Sequence, residues 1–338
     1  MDINLLKKYF GEKFIKKELR FQSYDFVEDF LSNNFKEYEK DKNTNTITDK
    51  YLIKLSKFSQ EELAFLILHS GYIPDHYKDD SSEETLHSKL TETLIFHWAK
   101  QIGFDKSELP TQKSSYEDIT ISDNKNIIVC DAKSFRLGRS QSAPNVKDTI
   151  KLADYEKWLV KHGKKGIGGL ITFPSLHNWT RGGDVYRYVS DPKRKVLLLF
   201  YEHISFFLKY DYKSKNLVDL IKKYSELFKK QSKDKDTYWV KITENLFANN
   251  LSDFKDFNKL ANSINQENVK YKKKSLEKKI QDLGKKISLL FKDYVHIDKL
   301  KEEISNHDSQ TYKEMFAIMN KIHKYQERIK FIKMYRIK

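Results

Sequence analysis

The sequence predicts an α/β fold: a central mixed β-sheet flanked by helices, with a helical N-terminal cover and a helical C-terminal subdomain. Three observations carry this. Short β-branched runs alternate with helical patterns in the middle of the chain, helical periodicity fills the first 75 residues, and lysine-dense helical sequence fills the end. The 338 residues, 39% hydrophobic and 14% aromatic, suffice for a substantial core.

In order, Leu5, Phe10, Phe14 and Leu19, then Phe26, Phe30 and Leu31, recur at helical spacing. Ser59-Gln60-Glu61-Glu62 reads as an N-cap with a glutamate at the third helical position, opening the apolar run Leu63 to Leu68, and Gly71 ends it. Ser81-Ser82-Glu83-Glu84 opens the next helix, which runs to about Gln101 and stops at Gly103. Its buried stripe is Leu86, Leu90, Leu94, Ile95 and Trp98. Glu84, Ser88 and Glu92, four apart, share another face.

Strands are expected at 116–122 and 126–134, joined by the turn-forming Ser122-Asp123-Asn124-Lys125. A helix is expected from Asn145 to about His162, closed by Gly163. Two further strands, Gly168 to Phe173 and Lys195 to Tyr201, flank the loop Arg181-Gly182-Gly183-Asp184. Beyond Glu202, residues 212–232, 238–248 and 251–265 read as short amphipathic helices, with Asp234-Lys235-Asp236 a loop. From 267 onward, Leu276, Ile280, Leu283, Ile287 and Leu290 stand at heptad-like spacing, and Met315, Ile318, Met319, Ile322 and Ile329 repeat the pattern past a loop at His307-Asp308-Ser309. This divides the chain into a helical region 1–80, a core 81–210 and a helical region 211–338. No Pro- or Gly-rich linker separates them, so the boundaries are soft and one domain is equally consistent.

Lys and Arg number 63 against 48 acids, a net charge of +15, which points to a polyanionic partner. No apolar run of 18 or more exists to span a bilayer, and the amino terminus reads as helix rather than as a signal peptide. Cys130 is the single cysteine, which excludes an internal disulfide and fits a reducing cytoplasm. The ten histidines show no zinc-ligand spacing.

The stretch that concentrates chemistry is Asn126 to Arg139. An apolar run ends in Asp131-Ala132-Lys133, and Asp118 lies thirteen residues upstream. On a strand, residues i and i+2 share a face, so Asp131 and Lys133 reach one site while Ala132 is left to offer its backbone carbonyl. Two acids and a lysine are the parts of a Mg²⁺-dependent phosphodiester-cleaving site. The spacing alone is weak evidence: Asp191-Pro192-Lys193, Asp211-Tyr212-Lys213, Asp253-Phe254-Lys255 and Glu277-Lys278-Lys279 share it. A plain surface ion pair stays open at this point.

Asp131-Ala132-Lys133-Ser134-Phe135-Arg136-Leu137, followed by Arg139, resembles the motif of HindIII-type restriction endonucleases, members of the PD-(D/E)xK nuclease superfamily; the likeness covers about residues 80–208. The resemblance implies a restriction-endonuclease-like core and a homodimer that cuts both strands of duplex DNA with Mg²⁺. It also implies a cognate DNA methyltransferase in the same system. By position it makes Asp118 and Asp131 metal ligands with the Ala132 carbonyl, Lys133 the catalytic lysine, and Glu92 a supporting carboxylate with Glu84 as its rival. Glu117 stands where the superfamily often has proline, and Gly138 interrupts the basic loop.

Arg136, Arg139, Ser140, Gln141, Asn145 and Lys147 follow the catalytic strand and are of the types that read base edges, or grip phosphates. Arg181, Arg187, Lys193 and Arg194 read as phosphate contacts or solvated surface. Two other functions remain open on the residues: a structure-selective resolvase or nicking repair nuclease, and a non-enzymatic DNA-binding protein.

Overall fold

A computed structural model describes residues 1–110 apart from 75 and 79, and 117–136, 149–177, 179 and 184–290. The chain forms two compact units. The first comprises residues 1–137 and 141–265, and the second 138–140 and 266–338.

The first unit opens with α1 (Ile3–Phe10), α2 (Lys17–Asp41), α3 (Thr44–Leu55) and α4 (Gln60–Ser70). Ser59 caps α4 as its sequence requires: its hydroxyl accepts from the Glu62 N–H at 3.2 Å, and Glu62 accepts from the Ser59 N–H at 2.7 Å. Every residue of α4 from Leu63 to Ser70 is buried, so this helix lies inside the unit rather than covering it. It packs on α8 (Tyr201–Lys209), where the Ser205 hydroxyl donates to the Ala64 carbonyl at 2.7 Å.

The main sheet has the order β2 (Ile119–Ser122), β3 (Ile127–Ala132), β5 (Gly166–Phe173) and β6 (Val196–Phe200). The β2–β3 pair is antiparallel and the other two are parallel, giving a mixed sheet flanked by helices, as expected. α5 (Ser82–Gln101), α6 (Leu152–His162), the short α7 (Val185–Val189) and α9 (Ser214–Lys222) pack against it. A second, two-stranded parallel sheet pairs β1 (Tyr72–Ile73) with β4 (Phe135–Arg136); the sequence patterns gave no sign of it, because two residues are too short for a period.

Several boundaries differ from expectation for local reasons. Lys151 has φ −90° and ψ 80°, so α6 begins at Leu152; the expected start at Asn145 lies outside the described residues. The segment expected as one helix at 212–232 divides into α9 and the short α10 (Tyr224–Leu227). Asp234, expected in a loop, caps α11 (Lys235–Phe247) by accepting from the Thr237 N–H at 2.8 Å, which draws Lys235 and Asp236 into the first turn. The break expected near 265 is absent: α12 runs unbroken from Leu251 to Leu290. In the first unit Phe254, Phe257, Leu260, Ala261 and Ile264 bury its inner face. In the second unit the described residues, 266–290, are helical.

Candidate active site

The hairpin β2–β3 makes the site. Asp123 organises its turn by accepting from the N–H groups of Lys125 and Asn126, both at 2.7 Å. The resulting register pairs Ile119 with Cys130 and Ser122 with Ile127, so one step further Asp118 stands opposite Asp131. Opposed residues of an antiparallel pair have Cβ atoms about 5 Å apart, close enough for two carboxyl groups to share a cation or a proton. Asp118 is fixed there by its Oδ2, which accepts from the Ala132 N–H at 3.0 Å.

Lys133 follows the last residue of β3 and keeps the alternation, its Nζ 2.7 Å from Oδ2 of Asp131. Its main chain is tied twice. The N–H donates to the Thr172 carbonyl at 2.9 Å, and the carbonyl accepts from the Tyr201 hydroxyl at 2.7 Å. Tyr201 can lie this close because its ring occupies the space a Cβ at position 71 would need: that atom would sit 2.2 Å from Tyr201 Cε2. Gly71 is therefore a packing requirement as much as a helix end. One residue on, the hydroxyls of Ser134 and Ser88 share a 3.0 Å hydrogen bond that ties the strand end to α5.

The charges do not balance. Burial, then the charges of Asp131 and Glu92, push the Asp118 carboxyl well above the usual carboxylate range. Burial works against the Lys133 ammonium, but Asp131, Asp118 and Glu92 outweigh it and raise its pKa. Burial and the same acids also push up the Cys130 thiol. Three carboxyl groups thus act on one lysine. Glu92 is in turn held by Lys89, Nζ to Oε2 2.7 Å, both side chains largely buried. The rival Glu84 is engaged differently. Its Oε2 caps the chain by accepting from the Asp80 N–H at 2.8 Å and pairs with Arg136 at 2.7 Å. Among the described residues, no three His, Cys, Asp or Glu side chains form a ready-made metal cage. An ion that keeps most of its waters and takes one or two carboxylates needs no cage, and the surplus negative charge of hard oxygen donors suits a divalent cation.

Arg136 is corrected by the structure. It is 1% exposed, in β4, with Nη2 2.7 Å from Glu84 and 2.8 Å from the Lys78 carbonyl, so it ties the fold together inside the unit instead of standing at the surface. Arg139, Ser140, Gln141, Asn145, Lys147 and Arg181 lie outside the described residues. Arg187 and Lys193 are exposed, and Arg194 pairs with Glu156 at 2.9 Å.

Sequence reasoning missed several residues around the acids. The Tyr155 hydroxyl donates to Asp131 Oδ2 at 3.0 Å, and burial followed by the Asp131 charge pushes its pKa well up. Glu117, read only as a departure from proline, is buried, accepting from the Thr120 hydroxyl at 2.8 Å and lying 2.7 Å from His162 Nε2. Neither tyrosines nor a lone histidine carry a sequence signal for such roles; three-dimensional proximity alone exposes them.

Residues 39–282 match the sequence model of the HindIII restriction endonuclease. No curated protein matches the chain. The matched stretch is well over half of the chain and contains Asp118, Asp131, Lys133 and the α5 glutamates Glu84 and Glu92. The chain belongs to the HindIII restriction endonuclease family.

Proposed function

We propose that this protein is a type II restriction endonuclease that makes Mg²⁺-dependent, sequence-specific double-strand cuts in DNA. The observation that carries the reading is the hairpin register that sets Asp118 opposite Asp131, with the Lys133 ammonium on the same carboxylate. Family membership supports the reaction class.

Asp118 and Asp131, with the Ala132 carbonyl, would hold the Mg²⁺. When bound, that ion polarises the phosphate and lowers the pKa of a water. The chain's own groups do the rest. Lys133, kept protonated by the surrounding acids, neutralises charge that develops on the scissile phosphate. Glu92 adds to the negative field that favours cation binding, and the short bond from Tyr201 fixes the main chain from which Lys133 projects. Arg139, Ser140, Gln141, Asn145 and Lys147 are the candidates for DNA contact; Arg136 is left out because it is internal. The net charge of +15 supports a duplex partner. We place the catalytic core at 81–210 with helical regions on either side. Two copies acting as a homodimer would cut both strands, in the cytoplasm and beside a cognate DNA methyltransferase. No helix among the described residues is long and apolar enough to cross a membrane.

The test is incubation with plasmid and phage DNA in Mg²⁺. Wild type is expected to give discrete fragments and Asp131→Ala none. A uniform smear, or preference for branched over linear duplex, would replace this reading with a non-specific or structure-selective nuclease.

A further inference from the structure

The two acids that would hold the metal are both backed by one helix. Tyr155 and His162 lie seven residues apart on α6, two turns along one face, with about 10 Å between their levels. Tyr155 donates to Oδ2 of Asp131 at 3.0 Å, and Lys133 is on that same oxygen at 2.7 Å. Two donors thus fix the orientation of the Asp131 carboxylate. His162 reaches Glu117, 2.7 Å away, in the residue that precedes Asp118; Thr120 holds the same Glu117 oxygen from two residues beyond Asp118. Asp118 thus sits between two positions pinned by one carboxylate.

The fold makes room for this arrangement. Gly169 on β5 pairs with Val129, one strand from the hairpin. A Cβ there would lie 2.5 Å from Tyr155 Cδ1, so a side chain at 169 would push the tyrosine off Asp131. At the other end, Glu117 does by hydrogen bonds what a proline does by its ring: it restrains the backbone that presents the first acid.

We propose that α6 is the positioning element of the site: Tyr155 orients Asp131, and His162, through Glu117, fixes the segment that presents Asp118. Both are positioning residues, since neither touches the reacting atoms. Groups that hold a metal's ligands set its affinity, and their loss typically costs 10–100-fold. The inference rests on the nuclease reading, and its test separates the two.

Calorimetric titration of Mn²⁺ into the full-length protein without DNA gives metal affinity independently of cutting. The Mg²⁺ concentration for half-maximal cleavage gives the second readout. Tyr155→Phe is expected to weaken Mn²⁺ binding about tenfold and raise the Mg²⁺ midpoint in step, and His162→Ala to shift both beyond about threefold, with His162→Gln restoring most of the loss. Tyr224→Phe is the control. It removes an equally buried hydroxyl bond, to the Val189 carbonyl, and is expected to leave both readouts within about twofold of wild type. If Tyr155→Phe or His162→Ala also stays within that band, or Tyr224→Phe shifts as far as they do, the positioning role is overturned. Failure of the wild type to cut would instead overturn the nuclease reading, and cutting by Asp131→Asn the place of Asp131 in it, while the Mn²⁺ titration still decides the role of α6.

Discussion

The ion pairs Asp131–Lys133 and Glu84–Arg136 close at the same N···O distance, 2.7 Å, on neighbouring residues of one chain segment. They do opposite work. Arg136 is 1% exposed, and its Nη2 is held by Glu84 and the Lys78 carbonyl inside the fold. The Lys133 side chain is 28% exposed and answers to Asp131, Asp118 and Glu92 together. A buried pair of opposite charges is a tie, whereas a partly exposed lysine among three carboxyl groups leaves negative charge over, which suits a cation. Glu202 supplies a third case. It is a buried carboxyl whose bonds come from the neutral Ser175 hydroxyl and, at 3.0 Å, the Asn265 amide.

The largest expected effect breaks the tie. Arg136→Ala strands the Glu84 carboxylate in a largely buried site and should cost about 3–5 kcal/mol of stability in a denaturant titration. A loss below about 1 kcal/mol would erase the distinction between the two pairs. Lys133→Ala should lower the cleavage rate about 10²–10³-fold with little change in the unfolding midpoint. If its midpoint fell as far as that of Arg136→Ala, Lys133 would be another structural tie.

The unpaired carboxyl gives a pH test. Burial pushes Glu202 up from 4.5 to about 7, so between those values the folded protein holds a proton that the unfolded chain has released. Stability contributed by the neutral acid is therefore complete below about 4.5 and lost as pH rises to about 7, some 3 kcal/mol in all. His203 beside it slopes the other way. Burial pushes it down from 6.5 to about 3, so its contribution is complete above 6.5 and lost as pH falls. The two largely cancel between about 4.5 and 6.5. Glu202→Gln should unmask the histidine: the variant's melting temperature should rise with pH across that interval, where wild type stays nearly level.

The smallest effect has the opposite sign. Asp118→Asn relieves the repulsion from Asp131 and Glu92 and keeps an acceptor for the Ala132 N–H, so the variant should be more stable by about 1 kcal/mol while cleaving no DNA. A destabilised Asp118→Asn would place Asp118 with the ties.

The arrangement of the acids and the lysine was legible where a local rule sufficed. The period of two on β3 put Asp131 and Lys133 on one face, and the apolar lead-in separated them from four other matches to the same spacing. The serines before α4 and α5 announced their caps. Arg136 was misread because its direction depends on a parallel pairing of Phe135 with Tyr72, more than sixty residues earlier, which turns the guanidinium inward to Glu84.

By itself, then, the sequence determined the strands of the main sheet, the caps of α4 and α5, which strand leads into the acid and the lysine, and the excess of positive charge, since propensity, periodicity and composition are properties of neighbouring residues. Tertiary structure decided the register that sets Asp118 opposite Asp131, the nearness of Glu92 to Asp118 while Glu84 pairs with Arg136, and the contacts of Tyr155 and His162 on α6 with Asp131 and Glu117. These depend on side chains far apart in sequence meeting at hydrogen-bond distance, and on two glycines leaving room for tyrosines to reach Asp131 and Lys133.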